Sequence, residues 1–210
     1  MGLAITNLTE TTLSGNDRDG QIMAAVLKIL GAEGVQGLTT ARIAGEVGFS
    51  EAALYKYFKN KEEIISGALD VMLEHLKKEK KLDKKRHGTP IDKILALYRN
   101  HVFILESQPG FYRLIYSDEL HISSGKLKKK LKKIHNGFNK IVTSHIEDAK
   151  KEGLVRKDAD EESVSLAISG CVQSAFMAHT VLEKKEGLGD MTMEMIQLVL
   201  GGIRVQNGAN

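Results

Sequence analysis

Between Leu38 and Glu62 the chain reads LTTARIAGEVGFSEAALYKYFKNKE, two short helical patterns hinged at a glycine. Thr39 or Thr40 supplies an N-cap, since a side-chain oxygen there accepts from an orphan amide at a helix start. Ile43 and Val47 then share one face, and Ala44 lies where a second helix crosses closely. Gly48 ends the first helix, a place where left-handed backbone costs least in glycine. Phe49 plugs the turn. Ser50 caps the second helix, and Glu51 puts negative charge in its first turn. Leu54 and Phe58 point inward. Ala52, Ala53, Tyr55, Lys56 and Tyr57 take more exposed positions, and Asn60 caps the helix that follows. This is the pattern of a helix-turn-helix, which lays one helix in the DNA major groove.

Outward from this core the chain reads as all-α. Residues 1–15 form a Thr-, Ser- and Gly-rich tail. Arg18 to Glu33 carries Ile22, Val26, Ile29 and Leu30 on one face and braces the reader, giving a DNA-binding domain over 16–62. A helix from Asn60 carries the stripe Ile64, Ala68, Leu69, Met72 and Leu76 and connects the head to the body over 63–88. Gly88 marks a boundary, and residues 89–210 form a helical regulatory and dimerisation domain. Its helices are expected from Pro90 to Ser107, Pro109 to His121, Lys126 to Glu152, Asp158 or Asp160 to Glu186, and Thr192 to Val205. Ser123, Ser124 and Gly125 separate the second from the third.

Composition narrows the class. Of 210 residues, 42% are hydrophobic and 27% charged, as in a soluble globular protein. The single cysteine, Cys171, forms no internal disulfide and points to a reducing cytoplasm. No apolar run approaches the ~20 residues of a membrane span, and no signal peptide is evident. Net charge is only +3, so DNA affinity depends on where the cations lie. Two runs stand out: Lys77 to Arg86, with Glu79 and Asp83 inside it, and the six lysines of Lys126 to Lys133. A nucleic-acid patch is one reading. A solvated helix face that adds long-range attraction to DNA is preferred.

The stretches Leu38–Ala44, Val47–Ser50 and Leu54–Glu62, with the helix Gln21 to Glu33 before them, resemble the TetR family of bacterial transcriptional regulators. The resemblance covers about the first third of the chain. It implies a homodimer that binds double-stranded operator DNA as a repressor and releases it when a small molecule binds the C-terminal domain. By the same resemblance Ser50, Ala52 and Tyr55 face the groove or adjoining backbone, and Ala52 is small enough to meet a thymine methyl. Tyr57, Lys61 and Thr40 match phosphate contacts. Arg42 reaches a phosphate or a guanine edge, and Lys56 points to the backbone. Glu51 and Ala53 depart from common family residues and leave the operator sequence open.

The last two helices carry the expected dimer interface. Ala167, Gly170, Ser174 and Ala178 line one with small residues, and Met195, Leu198 and Gly202 belong to the stripe on the other. A two-fold dimer spaces two readers by about one helical turn, ~34 Å, and asks for a palindromic operator. Effector candidates are His101, Phe103, Phe111, Tyr112, Tyr116, Cys171, Gln173, Phe176, Met177 and His179, a mix that favours a largely apolar molecule. No metal or cofactor is expected, and no enzyme. The seven histidines show no metal spacing, Cys171 has no evident base, and no Gly-rich loop follows a strand. A DNA-binding factor without ligand and an activator are the rival readings.

Overall fold

The computed structural model describes residues 18–122, 125–183 and 186–205. The tail 1–15 and the separators Ser123 and Ser124 lie outside the described residues. The described chain runs α1 (Arg18–Glu33), a short 3-10 turn (Val35–Gly37), α2 (Thr40–Val47), α3 (Glu51–Leu54), α4 (Lys61–Asp83), α5 (Pro90–Ser107), α6 (Pro109–Ile115), α7 (Asp118–Ile122), α8 (Lys126–Lys151), α9 (Glu161–Thr180) and α10 (Leu188–Ile203). An isolated bridge between Val155 and Arg204 is the extended pairing found among the described residues.

Contacts group the chain into two compact units, and these are not consecutive in sequence. One holds Met1–Lys78 together with Ser107–His135; the other holds Glu79–Glu106 together with Asn136–Asn210. The boundary expected at Gly88 therefore falls inside the second unit, and the lysines of Lys126 to Lys133, read as part of a regulatory half, belong with the reader. Helices α4 and α8 each give residues to both units.

The first unit is built on α1. Ile22, Val26, Leu27, Ile29 and Leu30 are all but inaccessible, and around them close Ile43 of α2, Leu54 of α3, and Ile64, Ala68 and Leu69 of α4. Each fully buried aliphatic of this kind contributes about 1.5–3 kcal/mol. Helix α6 then packs directly on α1. Gly110 makes this possible: a Cβ there would stand 2.3 Å from the Leu27 carbonyl oxygen. Pro109 opens α6 at a position where its missing N–H costs nothing.

In the second unit Tyr98 is buried, its hydroxyl 3.4 Å from Ser169 and its ring edge-on to Phe138 at 5.4 Å. A polar cluster ties the end of α4 to its surroundings. Arg86 pairs with Glu79 (2.5 Å) and Asp83 (3.3 Å), Asn100 donates to Glu79 at 2.7 Å, and His145 meets Asp83 at 2.9 Å. Part of the Lys77 to Arg86 run is thus a buried framework, since Arg86 and Glu79 side chains are only 15% and 10% exposed.

Three helix limits differ from the sequence reading. The helix expected over Pro109 to His121 breaks at Tyr116 and Ser117 into α6 and α7. The Ser117 hydroxyl donates to the Leu114 carbonyl at 2.8 Å, an alternative partner that competes with the helical ladder. Helix α9, capped by Asp160, stops at Thr180 instead of Glu186, and Glu183 takes a positive φ of 51°. Helix α10 begins at Leu188, four residues before Thr192.

Candidate nucleic-acid interface

Local rules build the reader. The Thr39 hydroxyl accepts from the Arg42 amide at 3.1 Å, which settles the first cap on Thr39. Gly48 sits at φ 72°, ψ 30° and closes α2, and the Phe49 amide bonds back to the Ala44 carbonyl. Ser50 accepts from the Ala53 amide at 3.2 Å and starts α3. Helix α3 is shorter than its pattern implied. After Leu54 the amides of Lys56 and Tyr57 turn to i−3 carbonyls, and the Phe58 amide bonds to Leu54, so the segment tightens before Lys59. Asn60 and Glu63 then form a cap at the start of α4: Asn60 accepts from the Glu63 amide at 2.9 Å, and Glu63 from the Lys59 amide at 2.8 Å.

The candidate DNA residues divide into outward and engaged groups. Ala52 of α3 and Tyr55 and Lys56 in the turn that follows it are exposed, Tyr55 at 52%. Tyr57 and Lys61 are half-buried. Thr40 and Arg42 already hold protein partners. The Thr40 hydroxyl donates to Glu51 at 2.7 Å, which latches the start of α2 to the start of α3. Arg42 pairs with Glu33 at 3.1 Å and with Glu46 at 3.4 Å. Glu46 also pairs with Lys28, and that hydrogen bond holds its carboxyl below the usual range. Ser50 spends its oxygen on the cap. Glu51, which departs from common family residues, accepts from Thr40 here.

The effector candidates are divided between the two units. Phe111, Tyr112 and Tyr116 belong to the first unit, the other seven to the second. Tyr112 stacks at 4.4 Å on Tyr116, and burial, with Tyr116 beside it, pushes its hydroxyl up to about 12. His101 lies 4.7 Å from Phe138, and desolvation holds it down to about 4. Phe103 is exposed at 36%. Cys171 is buried, donates to the Ala167 carbonyl at 3.3 Å, and is pushed up by burial, so it stays a thiol. Phe176 packs on the cluster of Val102, Ala175 and Leu188, as does Met195, expected in the dimer interface. Gln173, Met177 and His179 lie on the exposed side of α9, the same side as Ser174 and Ala167.

Sequence reading passed over His75. It is buried at the edge of the Phe111 ring, 5.7 Å away, and neither ring nitrogen has a partner. Desolvation, then nearby Lys78, holds it down to about 4. The signal was present: position 75 continues the stripe that runs through Met72 and Leu76.

Comparison with known proteins decides the family. The model for bacterial regulatory proteins of the tetR family matches residues 22–68, and the model for the YsiA-like protein C-terminal region matches residues 66–202. This chain belongs to the TetR family. As a TetR-family protein it is a DNA-binding transcriptional regulator, and its homologues are regulators. One relative, the fatty acid metabolism regulator protein of Bacillus subtilis (strain 168), is 21% identical over 183 residues, spanning 87% of this chain and 94% of its own. Among solved structures, the Bacillus subtilis regulator FadR in complex with stearoyl-CoA aligns with a TM-score of 0.72 at 21% identity, over 87% of this chain and 98% of that one. The ketosteroid regulator KstR2 of Mycobacterium tuberculosis gives 0.73 at 18% identity, over 91% and 97%. Among the described residues no helix is long and apolar enough to cross a membrane, and no group of three or more His, Cys, Asp or Glu is placed to hold a metal.

Proposed function

We propose that this protein is a cytoplasmic homodimeric repressor that leaves a palindromic operator when a small, largely apolar effector binds. The observation that carries the reading is the exposed set Ala52, Tyr55 and Lys56, on α3 and the turn after it, beside a capped helix start at Ser50. Lys61, at the first turn of α4, supplies a phosphate contact, and Tyr57 flanks it. Thr40 and Arg42 join only by exchanging their present partners, so they rank below these. An enzyme has no support in Cys171, whose thiol is held protonated.

Duplication of the reader is supported by α9 and α10. Met177 is 55% exposed and Leu198 72%, with Leu166 and Val181 also bare, and a Cβ at Gly170, Gly201 or Gly202 would meet nothing. An apolar face with such small residues invites a second copy. The apolar effector is supported by the relatives, one of which holds stearoyl-CoA. The sequential division into a reader (16–62), a connecting segment (63–88) and a regulatory part (89–210) describes roles, with 107–135 packed alongside the reader.

Selection of bound fragments from random DNA, with and without a long-chain acyl-CoA, tests the whole reading. A palindromic half-site whose recovery drops with acyl-CoA is expected; no enrichment of any duplex overturns it. Lys61→Ala should weaken binding to all sequences and flatten the salt slope by about one unit.

A further inference from the structure

An open cleft of about 420 Å³ lies in the first unit, lined by Asp70, Leu73, Gly125, Lys126, Lys129, Lys130 and Lys133. The four lysines fall at i, i+3, i+4 and i+7 on α8, so they share one helix face, with neighbouring Cβ atoms about 5–6 Å apart. Lys130 has a structural task. Its ammonium donates to the Ser66 hydroxyl (2.7 Å), the Ser66 carbonyl (3.1 Å) and the Asp70 carboxylate (2.6 Å). It thereby pins α8 to α4 and neutralises the one acid of the cleft. Lys126, Lys129 and Lys133 are exposed and take part in no ion pair among the described residues. Three like charges held on one face repel one another until an anion joins them.

Charge bookkeeping gives this cluster a consequence. The first unit holds 15 lysines and arginines against 12 aspartates and glutamates, and six of the 15 are the Lys126 to Lys133 run. The second unit is balanced, 15 against 15, so the whole net charge of +3 sits in the unit that carries the reader. Without the run that unit would be net negative. DNA attraction at long range depends on this surplus.

We propose that the cleft on α8 binds the diphosphate group of a phosphorylated small molecule, and that its occupancy discharges the first unit and weakens operator binding. Flexible lysine stems on one helix face converge their ammonium groups on a compact polyanion, which they bind as point charges. The start of α8 adds the positive end of its dipole. A concave space with Leu73 in its lining suits a small molecule. DNA is the less fitting occupant: Asp70 lies nine residues along α4 from Lys61, about 14 Å of helix, farther than a lysine side chain extends. The binding step stands by itself; the effect on the operator rests on the function proposed above.

The test is calorimetric titration of the full chain with pyrophosphate and with ADP, on the wild type and on the triple variant Lys126→Gln, Lys129→Gln, Lys133→Gln. One molecule per chain should bind, about 100-fold more weakly in the variant, the loss of two charge-assisted hydrogen bonds. The denaturant midpoint of the triple variant, measured alongside, should match that of the wild type, so a general loss of fold is separable from loss of charge. No binding, or equal binding in the triple variant, overturns the site. On operator DNA at matched ionic strength, pyrophosphate should lower wild-type affinity and leave the variant unmoved. A salt slope that drops by two or three units in the variant, without pyrophosphate binding, assigns the lysines to DNA and overturns the proposal. Should the wild type bind pyrophosphate but no operator, the site stands and only its regulatory consequence falls.

Discussion

The reader and the second unit are held together at different sequence distances. Thr39, Ser50 and Asn60 each bond to an amide three residues on, so local caps start three successive helices from α2 to α4. In the second unit Asn100 reaches Glu79 across 21 positions, His145 reaches Asp83 across 62, and Tyr98 meets Ser169 across 71. A local cap is replaceable by water at modest cost. A buried long-range partner is not, because removing one member leaves the other desolvated and unpaired.

The largest effect therefore belongs to the second unit. Arg86→Ala should cost about 3 kcal/mol by leaving Glu79 buried without its cation, read as a lowered denaturant midpoint. The paired replacement Arg86→Met with Glu79→Gln should recover most of that loss; if it does not, the cluster is more than an ion pair. Next, Gly110→Ala forces α6 away from the Leu27 carbonyl and should cost about 2 kcal/mol of overpacking. An unchanged melting temperature would show that α6 is free to slide.

The third effect is a pH dependence. His75 takes up a proton near 6.5 when unfolded and only near 4 when folded, so the unfolded state binds more protons between those values. Stability is full above pH 6.5 and falls as the pH drops toward 4, by an amount on the order of 2 kcal/mol from this group. His75→Leu should flatten the profile relative to wild type over that window. Parallel profiles would mean that His75 is hydrated in solution. The smallest effect is in the reader, where Thr39→Ala should cost about 1 kcal/mol. A loss as large as that of Arg86→Ala would erase the contrast between the regions.

The same contrast explains what the sequence disclosed. Caps, the glycine turn and the α1 stripe obey rules that operate within four residues, and Thr39, Gly48, Ser50 and Asn60 are legible for that reason. The family resemblance rested on those positions. The Arg86 cluster was hidden because a lysine-rich run looks solvated unless the partner Asn100 is known to stand opposite. His75 was legible in part, as a polar residue on an apolar stripe, but its lack of partners is a three-dimensional fact. The effector candidates are legible only as side-chain types; their division between the two units, and the packing of Phe176 on Val102, Ala175 and Leu188, depend on contacts far apart in sequence.

Because α6 and the start of α8 complete the first unit, that unit closes only after residue 135 has been made. A nascent chain emerging from the ribosome would present α1 through α4 with the Leu27 side of α1 still uncovered until the later segment arrives. A gene fragment cut at Gly88 would yield an incomplete head for the same reason. A fragment meant to keep α1 covered as it is here carries α6 as well as α1 through α4.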